Sequence, residues 1–63
     1  MEGSLIAGRY RVDHLIGEGG VARVYRGTDE TLERRVAIKI LRDELSHRED
    51  VVARFRREAH DAA

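Results

Sequence analysis

The first half of the chain alternates bulky and polar residues with a period of two. Residues 10–14 alternate and then run through Leu15 and Ile16 into a glycine cluster, which predicts a strand over residues 9–17. After the glycines, residues 22–26 alternate again. Because β-prone runs on both sides of a glycine cluster are typical of a hairpin, the glycine-rich loop is predicted to join two strands.

A third strand is predicted over residues 34–41, after a polar turn at residues 28–33. The period of two places Ala37 and Lys39 on the same face of this strand. The opposite face carries the branched apolar residues Val36, Ile38 and Ile40.

Helical spacing replaces the strand pattern in the last part of the chain. Ser46 and Glu49 fit a capping box, so a helix is predicted to begin there. The apolar residues at helical spacing are Val51, Val52, Phe55, Ala59 and Ala62. Glu58 lies on or beside this stripe, where an unpaired carboxylate would be costly, so we expect it to have a cationic partner.

These elements predict an α+β fold, with three antiparallel strands followed by one helix. Residues 1–8 are predicted to be an N-terminal tail, and residues 9–63 part of one domain. The helix has no glycine cap before Ala63, and the sheet has an unpaired edge, so we expect further chain to complete the fold. A chain of 63 residues without cysteine has little core of its own.

Charge and composition narrow the possible partners. The 12 basic and 12 acidic residues cancel, which argues against nucleic acid or an anionic membrane surface as a partner. No stretch resembles a secretory signal or a membrane span, so a cytoplasmic location is expected. Of the 12 basic residues, only Lys39 is a lysine.

The glycine-rich loop at residues 17–22 has the form G-x-G-x-x-A, which lets backbone amides approach phosphate oxygens. A dinucleotide-binding fold is disfavoured because Val24 and Tyr25 continue a strand instead of opening a helix. A Walker loop is excluded because no lysine follows the glycines directly. Taken alone, the loop is also compatible with a simple turn.

Lys39 and Glu58 also have ordinary explanations when each is considered alone. Lysines are mostly exposed, and Glu58 could be a surface acid paired with Arg54. The three features nevertheless occur in the order of the protein-kinase signature, which is a glycine-rich loop between strands, a V-A-I-K strand, and a helix that offers a glutamate to the lysine.

Residues 17–25 and 36–39 closely resemble bacterial serine/threonine protein kinases, as do the flanking residues 7–10 and 55–59. The resemblance implies ATP as the ligand, with Lys39 on its α- and β-phosphates and Glu58 paired with Lys39 in the active arrangement. It also implies that adenine is contacted by Ile16, Val24 and Ala37. The implied phosphate-covering loop consists of Gly17, Glu18, Gly19, Gly20, Val21 and Ala22. Ala22 and Val21 depart from the residues most common in the family at those positions.

The groups that the family uses for phosphate transfer and for Mg²⁺ are not in this sequence, which has no H-R-D and no D-F-G. The 63 residues alone are therefore expected to be inactive, and the remainder of a kinase domain and Ser/Thr protein substrates are the implied partners. A non-catalytic binding module and a pseudokinase remain open. The residues read as solvated surface, without metal-ligand spacing, are His14, His47, His60, Arg54, Arg56 and Arg57.

Overall fold

The computed structural model describes the backbone of residues 1–62 and the side chains of residues 1–58. It contains four strands and one α-helix, joined by a single 3₁₀ turn. The elements are β1 (Leu5–Ile6), β2 (Tyr10–Glu18), β3 (Ala22–Asp29), β4 (Arg34–Leu41), the 3₁₀ turn (Asp43–Leu45) and α1 (Glu49–Ala62).

The strands form one antiparallel sheet in the order β1-β2-β3-β4. The α+β class and the three long strands are confirmed, with boundaries that match the prediction within one residue for β2 and extend β3 to Asp29. The predicted strand count of three is wrong, because β1 makes a fourth. In the part of the chain that the structure describes, β4 pairs with a neighbour on one side only.

The extra strand comes from residues 1–8, which were predicted to be a tail. Leu5 pairs with Arg11 and Ile6 pairs with Tyr10. The amide of Gly3 donates to the Val12 carbonyl at 2.7 Å, which extends the pairing toward the N-terminus. A strand of two residues is too short to produce an alternation that a sequence pattern could reveal.

The buried apolar core is small and consists of Val12, Ala22 and Tyr25. Val12 is fully buried, and Tyr25 is nearly so. Gly27 is required here, because a Cβ at this position would overlap the Ile38 side chain and lie 2.7 Å from the Arg11 carbonyl oxygen. Many large apolar side chains remain exposed, namely Met1, Leu5, Leu15, Ile16, Val21 and Leu32.

A buried carboxylate closes the end of the sheet where β2 begins and β3 ends. The Asp29 side chain is 0% exposed and accepts two hydrogen bonds from Arg9, at 2.9 and 2.8 Å. It also accepts the backbone N–H groups of Thr31 and Leu32, at 3.0 and 3.1 Å. The Asp29 carboxylate therefore joins two strands and the following turn, a role that the sequence interpretation of residues 28–33 as a polar turn had missed.

The start of the helix differs from the predicted capping box. The Ser46 hydroxyl donates to the Asp43 carbonyl at 2.6 Å, so it ends the 3₁₀ turn and does not cap α1. The helix begins at Glu49, and the first carbonyl to accept an amide of the helix is that of Arg48, bonded to Val52 at 2.9 Å. The capping-box prediction is therefore wrong, because the Ser46 hydroxyl bonds to the backbone of the preceding 3₁₀ turn instead of to α1.

The predicted apolar stripe of α1 is only partly covered. Val51, Val52 and Phe55 are half-buried, and no side chain from Glu49 to Glu58 is fully buried. The side chains of Ala59 and Ala62 lie outside the described residues. Along the described chain, no helix has both the length and the apolar character that a membrane crossing requires.

Candidate functional site

A cleft of about 530 Å³ lies between the glycine-rich loop, the β3–β4 face of the sheet and the first turns of α1. Each of the predicted phosphate-covering residues 17–22 lines it, together with Val24 and Lys39 from the sheet. The helix contributes Asp50, Val51, Arg54, Phe55 and Glu58.

The strand register explains how Lys39 reaches the loop. Gly17 on β2 pairs with Val24 on β3, and Val24 pairs with Lys39 on β4. Because residues directly opposite each other share a face of the sheet, the lysine stands in the same row as the first glycine. Among the described residues, Lys39 forms no ion pair and no side-chain hydrogen bond, so its ammonium group is available to an anion.

The loop glycines are not required by the fold itself. A Cβ would be no closer than 3.8 Å to any atom at Gly17 and 3.7 Å at Gly19, and at Gly20 it would meet nothing within 4 Å. The left-handed backbone angles among the glycines occur at Gly3 and Gly8 instead. The loop therefore has open space beside its backbone, which is what a close approach by a phosphate group needs.

Two backbone donors at the tip of the loop are unused. Within the described chain, the N–H groups of Gly20 and Val21 donate to no protein acceptor, whereas the N–H of Gly19 is bonded to the Ala22 carbonyl at 2.9 Å. Successive free amides of this kind form concavities that bind anions.

Glu58 lies at the cleft but does not contact Lys39. Its Oε1 is 3.5 Å from Arg54 Nε, one helical turn earlier, and the side chain is 58% exposed. The burial expected for Glu58 is therefore not found, and its cationic partner in this arrangement is Arg54. Exposed pairs of this type contribute only about 0.3–0.5 kcal/mol, so exchanging Arg54 for another partner would cost little.

The three predicted adenine-contacting residues are not all at the cleft. Val24 lines it, whereas Ile16 is 58% exposed and outside it. Ala37 lines a neighbouring groove along β4, which shares Lys39 with the cleft. An adenine site that includes Ile16 and Ala37 stays a prediction.

Glu18 differs from its neighbours in the loop because its carboxylate is paired. Its Oε1 accepts hydrogen bonds from Arg23 Nε and from Arg42 Nη2, both at 3.0 Å. The hydrogen bond from Arg23, followed by the charge of Arg42, lowers the pKa of Glu18 below its usual value. Glu18 is thus ionised and engaged with arginines, so its backbone rather than its carboxylate is suited to a phosphate group.

Sequence reasoning missed Arg42, which contacts both Glu18 and the backbone of the loop. Arg42 is one of 11 arginines, and nothing in its local sequence marks it out. Its position directly after the V-A-I-K strand was the only available signal, because the hairpin pairing brings the end of that strand beside the loop. Within the described residues, no group of three or more potential metal-ligating side chains occurs.

The sequence is similar to those of several bacterial serine/threonine protein kinases. The chain is 53% identical over 62 residues to a probable serine/threonine-protein kinase, pknA2, of Bifidobacterium longum. It is 48% identical over 61 residues to the serine/threonine-protein kinase PrkC of Bacillus subtilis, and 43% identical over 61 residues to the serine/threonine-protein kinase PknA of Mycobacterium tuberculosis. Its relatives are bacterial serine/threonine protein kinases.

The kinase resemblance extends over most of this chain but over little of each relative. The matches cover 94% to 97% of the chain, and only 8%, 9% and 14% of these three kinases. No protein-family model matches the chain. The four-stranded sheet followed by one helix is consistent with part of a kinase N-lobe.

Proposed function

We propose that this chain forms part of the ATP site of a serine/threonine protein kinase, which in its complete form transfers the ATP γ-phosphate to Ser or Thr hydroxyls of protein substrates. The observation that carries the proposal is the shared cleft. The glycine-rich loop, Lys39 and Glu58 come from three different parts of the sequence, and all of them line it.

In this proposal the backbone of residues 17–22 covers the phosphates, and Lys39 binds the α- and β-phosphates. Among residues 1–58, the N–H groups of Gly20 and Val21 bond to no protein acceptor and Lys39 forms no ion pair, which supports these roles. Glu58 orients Lys39 after leaving Arg54, a change that requires α1 to move toward the sheet. Ile16, Val24 and Ala37 contact the adenine once further chain completes that side of the site.

The remaining chemistry belongs to residues outside this sequence. Kinases hold Mg²⁺ through an Asp and an Asn, and orient the substrate hydroxyl with a catalytic-loop Asp. The cleft is lined by Glu18, Asp50 and Glu58, and the carboxylate of each of these residues pairs with an arginine. We therefore assign Mg²⁺ binding and proton transfer to the remainder of the kinase domain, and expect the 63 residues alone to be inactive.

The test uses the native protein that carries this chain and compares two charge-removing variants on β4. Lys39→Met is expected to lower the rate of phosphate transfer from radiolabelled ATP at least about a hundredfold. The reason is that the lysine binds the α- and β-phosphates and stabilises their charge in the transition state. Arg35→Met is the matched control, since Arg35 lies on the same strand and the same face but does not line the cleft. Its activity should equal that of the unmodified protein.

The outcome also separates the alternatives. Near-normal transfer by Lys39→Met would overturn the proposed role of the lysine. Binding of ATP by the unmodified protein without any transfer would favour a pseudokinase, and absence of ATP binding would favour a non-catalytic binding module. We also propose that the protein acts in the cytoplasm, because the proposed use of ATP and a chain without cysteine are both compatible with that compartment.

A further inference from the structure

Arg42, the residue that follows β4, binds the glycine-rich loop at three points. Its backbone N–H donates to the Val21 carbonyl at 2.9 Å. Its side chain donates from Nε to the Gly19 carbonyl at 2.8 Å and from Nη2 to Glu18 Oε1 at 3.0 Å. The Arg42 side chain is only 20% exposed, and it does not line the cleft, so it supports the loop from outside the cleft.

These contacts fix the direction of two peptide planes. In a trans peptide the carbonyl and the following N–H point in opposite directions. Holding the Gly19 carbonyl toward Arg42 therefore turns the N–H of Gly20 away from Arg42. The second plane, which holds the Val21 carbonyl, carries the N–H of Ala22, so of the two unused loop N–H groups only that of Gly20 belongs to a plane that Arg42 holds.

We propose that Arg42 is a positioning residue for the glycine-rich loop, and that it holds the Gly19 carbonyl so that the amide of Gly20 stays directed at the phosphates of the nucleotide. This inference rests on the proposed function. Glu18 supports it by aligning the guanidinium and balancing its charge, which keeps Arg42 from acting as a phosphate ligand itself.

The chain supplies a matched control for Arg42. Arg23 binds the same Glu18 oxygen at the same 3.0 Å, but it makes no side-chain hydrogen bond to the loop backbone. Removing either arginine deletes one positive charge and one contact to Glu18. Only removal of Arg42 also releases the Gly19 carbonyl.

The experiment measures the affinity of the native protein for ATP and for adenosine by calorimetry. Arg42→Ala is expected to weaken ATP binding about tenfold, the size of one hydrogen bond to a charged group, and to leave adenosine binding unchanged. Arg23→Ala should change neither affinity by more than about twofold. Equal effects of the two variants on ATP, or an equal loss of ATP and adenosine affinity in Arg42→Ala, would overturn the inference.

A second variant covers the case in which Arg42→Ala does not fold. Lysine keeps the charge and the buried stem but cannot bridge the Gly19 carbonyl and Glu18 with a planar fork. Arg42→Lys is therefore expected to retain the fold, with faster hydrogen exchange at residues 19–22 and weaker ATP binding. If hydrogen exchange and ATP affinity are unchanged in this variant, the inference about Arg42 is wrong but the proposed function stands. If the unmodified protein does not bind ATP, the proposed function is wrong as well.

Discussion

Both ends of the sheet carry arginine–carboxylate pairs, but in different surroundings. At the end where β3 runs into the turn, Asp29 is fully buried and accepts four hydrogen bonds. At the cleft end, the carboxylates of Glu18 and Glu58 are 47% and 58% exposed. Asp29 cannot lose its donors without leaving an uncompensated buried carboxylate, whereas an exposed pair can exchange partners at little cost. The contacts at the first end stabilise the fold, whereas the exposed pairs at the second end can exchange partners.

The glycines show the same division. Gly27 is packed against Ile38 and the Arg11 carbonyl, and the fold cannot accept a side chain there. A Cβ at Gly20 would meet nothing within 4 Å, and Gly20 has no positive φ. Packing in the sheet explains the first glycine, whereas the fold itself does not require the second.

The largest expected effect comes from Asp29→Ala. This change removes the acceptor of the Arg9 guanidinium and of the amides of Thr31 and Leu32, and it leaves a cavity at a fully buried position, so we expect the largest loss of hydrogen-exchange protection in β2 and β3. Hydrogen exchange of the strand amides, read by mass spectrometry, measures this directly. Asp13→Ala is the control, because Asp13 bonds Thr28 and Arg11 in a more exposed position. Equal protection in both variants would contradict the comparison.

Gly27→Ala should have the next largest effect. Forcing a Cβ against the Ile38 side chain and the Arg11 carbonyl is expected to lower the free energy of unfolding by about 1–3 kcal/mol. In Gly20→Ala the free energy of unfolding should change by less than about 0.5 kcal/mol, while ATP affinity falls if the proposed function is right. Denaturant unfolding of the two variants measures these changes. If Gly20→Ala lowers the free energy of unfolding as much as Gly27→Ala does, the contrast between the two glycines is wrong.

Stability should also depend on pH through Asp29. The hydrogen bond from Arg9, with further help from the amides of Leu32 and Thr31, holds the pKa of Asp29 well below its usual value despite burial. A carboxylate with a lowered folded pKa contributes stability that is present above its unfolded pKa and is lost as the pH falls toward the folded value. The melting temperature should therefore decrease as the pH is lowered below about 4. A melting temperature that stays constant from neutral pH to about pH 2 would refute this role.

The smallest effect is expected from Arg54→Gln. Removing the exposed partner of Glu58 should change the free energy of unfolding by no more than about 0.5 kcal/mol. If Glu58 can exchange partners, the same change should leave phosphate transfer unchanged or increase it, because Lys39 no longer competes with Arg54. Arg56→Gln on the same helix is the control, and a large loss of stability in Arg54→Gln alone would show that the pair has a structural role.

The amino-acid sequence was enough to predict the three long strands, the helix and the order of the glycine-rich loop, Lys39 and Glu58. These features follow from local periodicity and from short motifs, which depend on neighbours in the chain. The other features depend on contacts made in the folded state. The β1 strand, the Asp29 corner and the Arg42 contact with the loop join residues that are distant in sequence, and the Ser46 hydroxyl has two possible partners that only the folded backbone distinguishes. The choice of Glu58 between Arg54 and Lys39 belongs to the same class, because it depends on how α1 lies against the sheet.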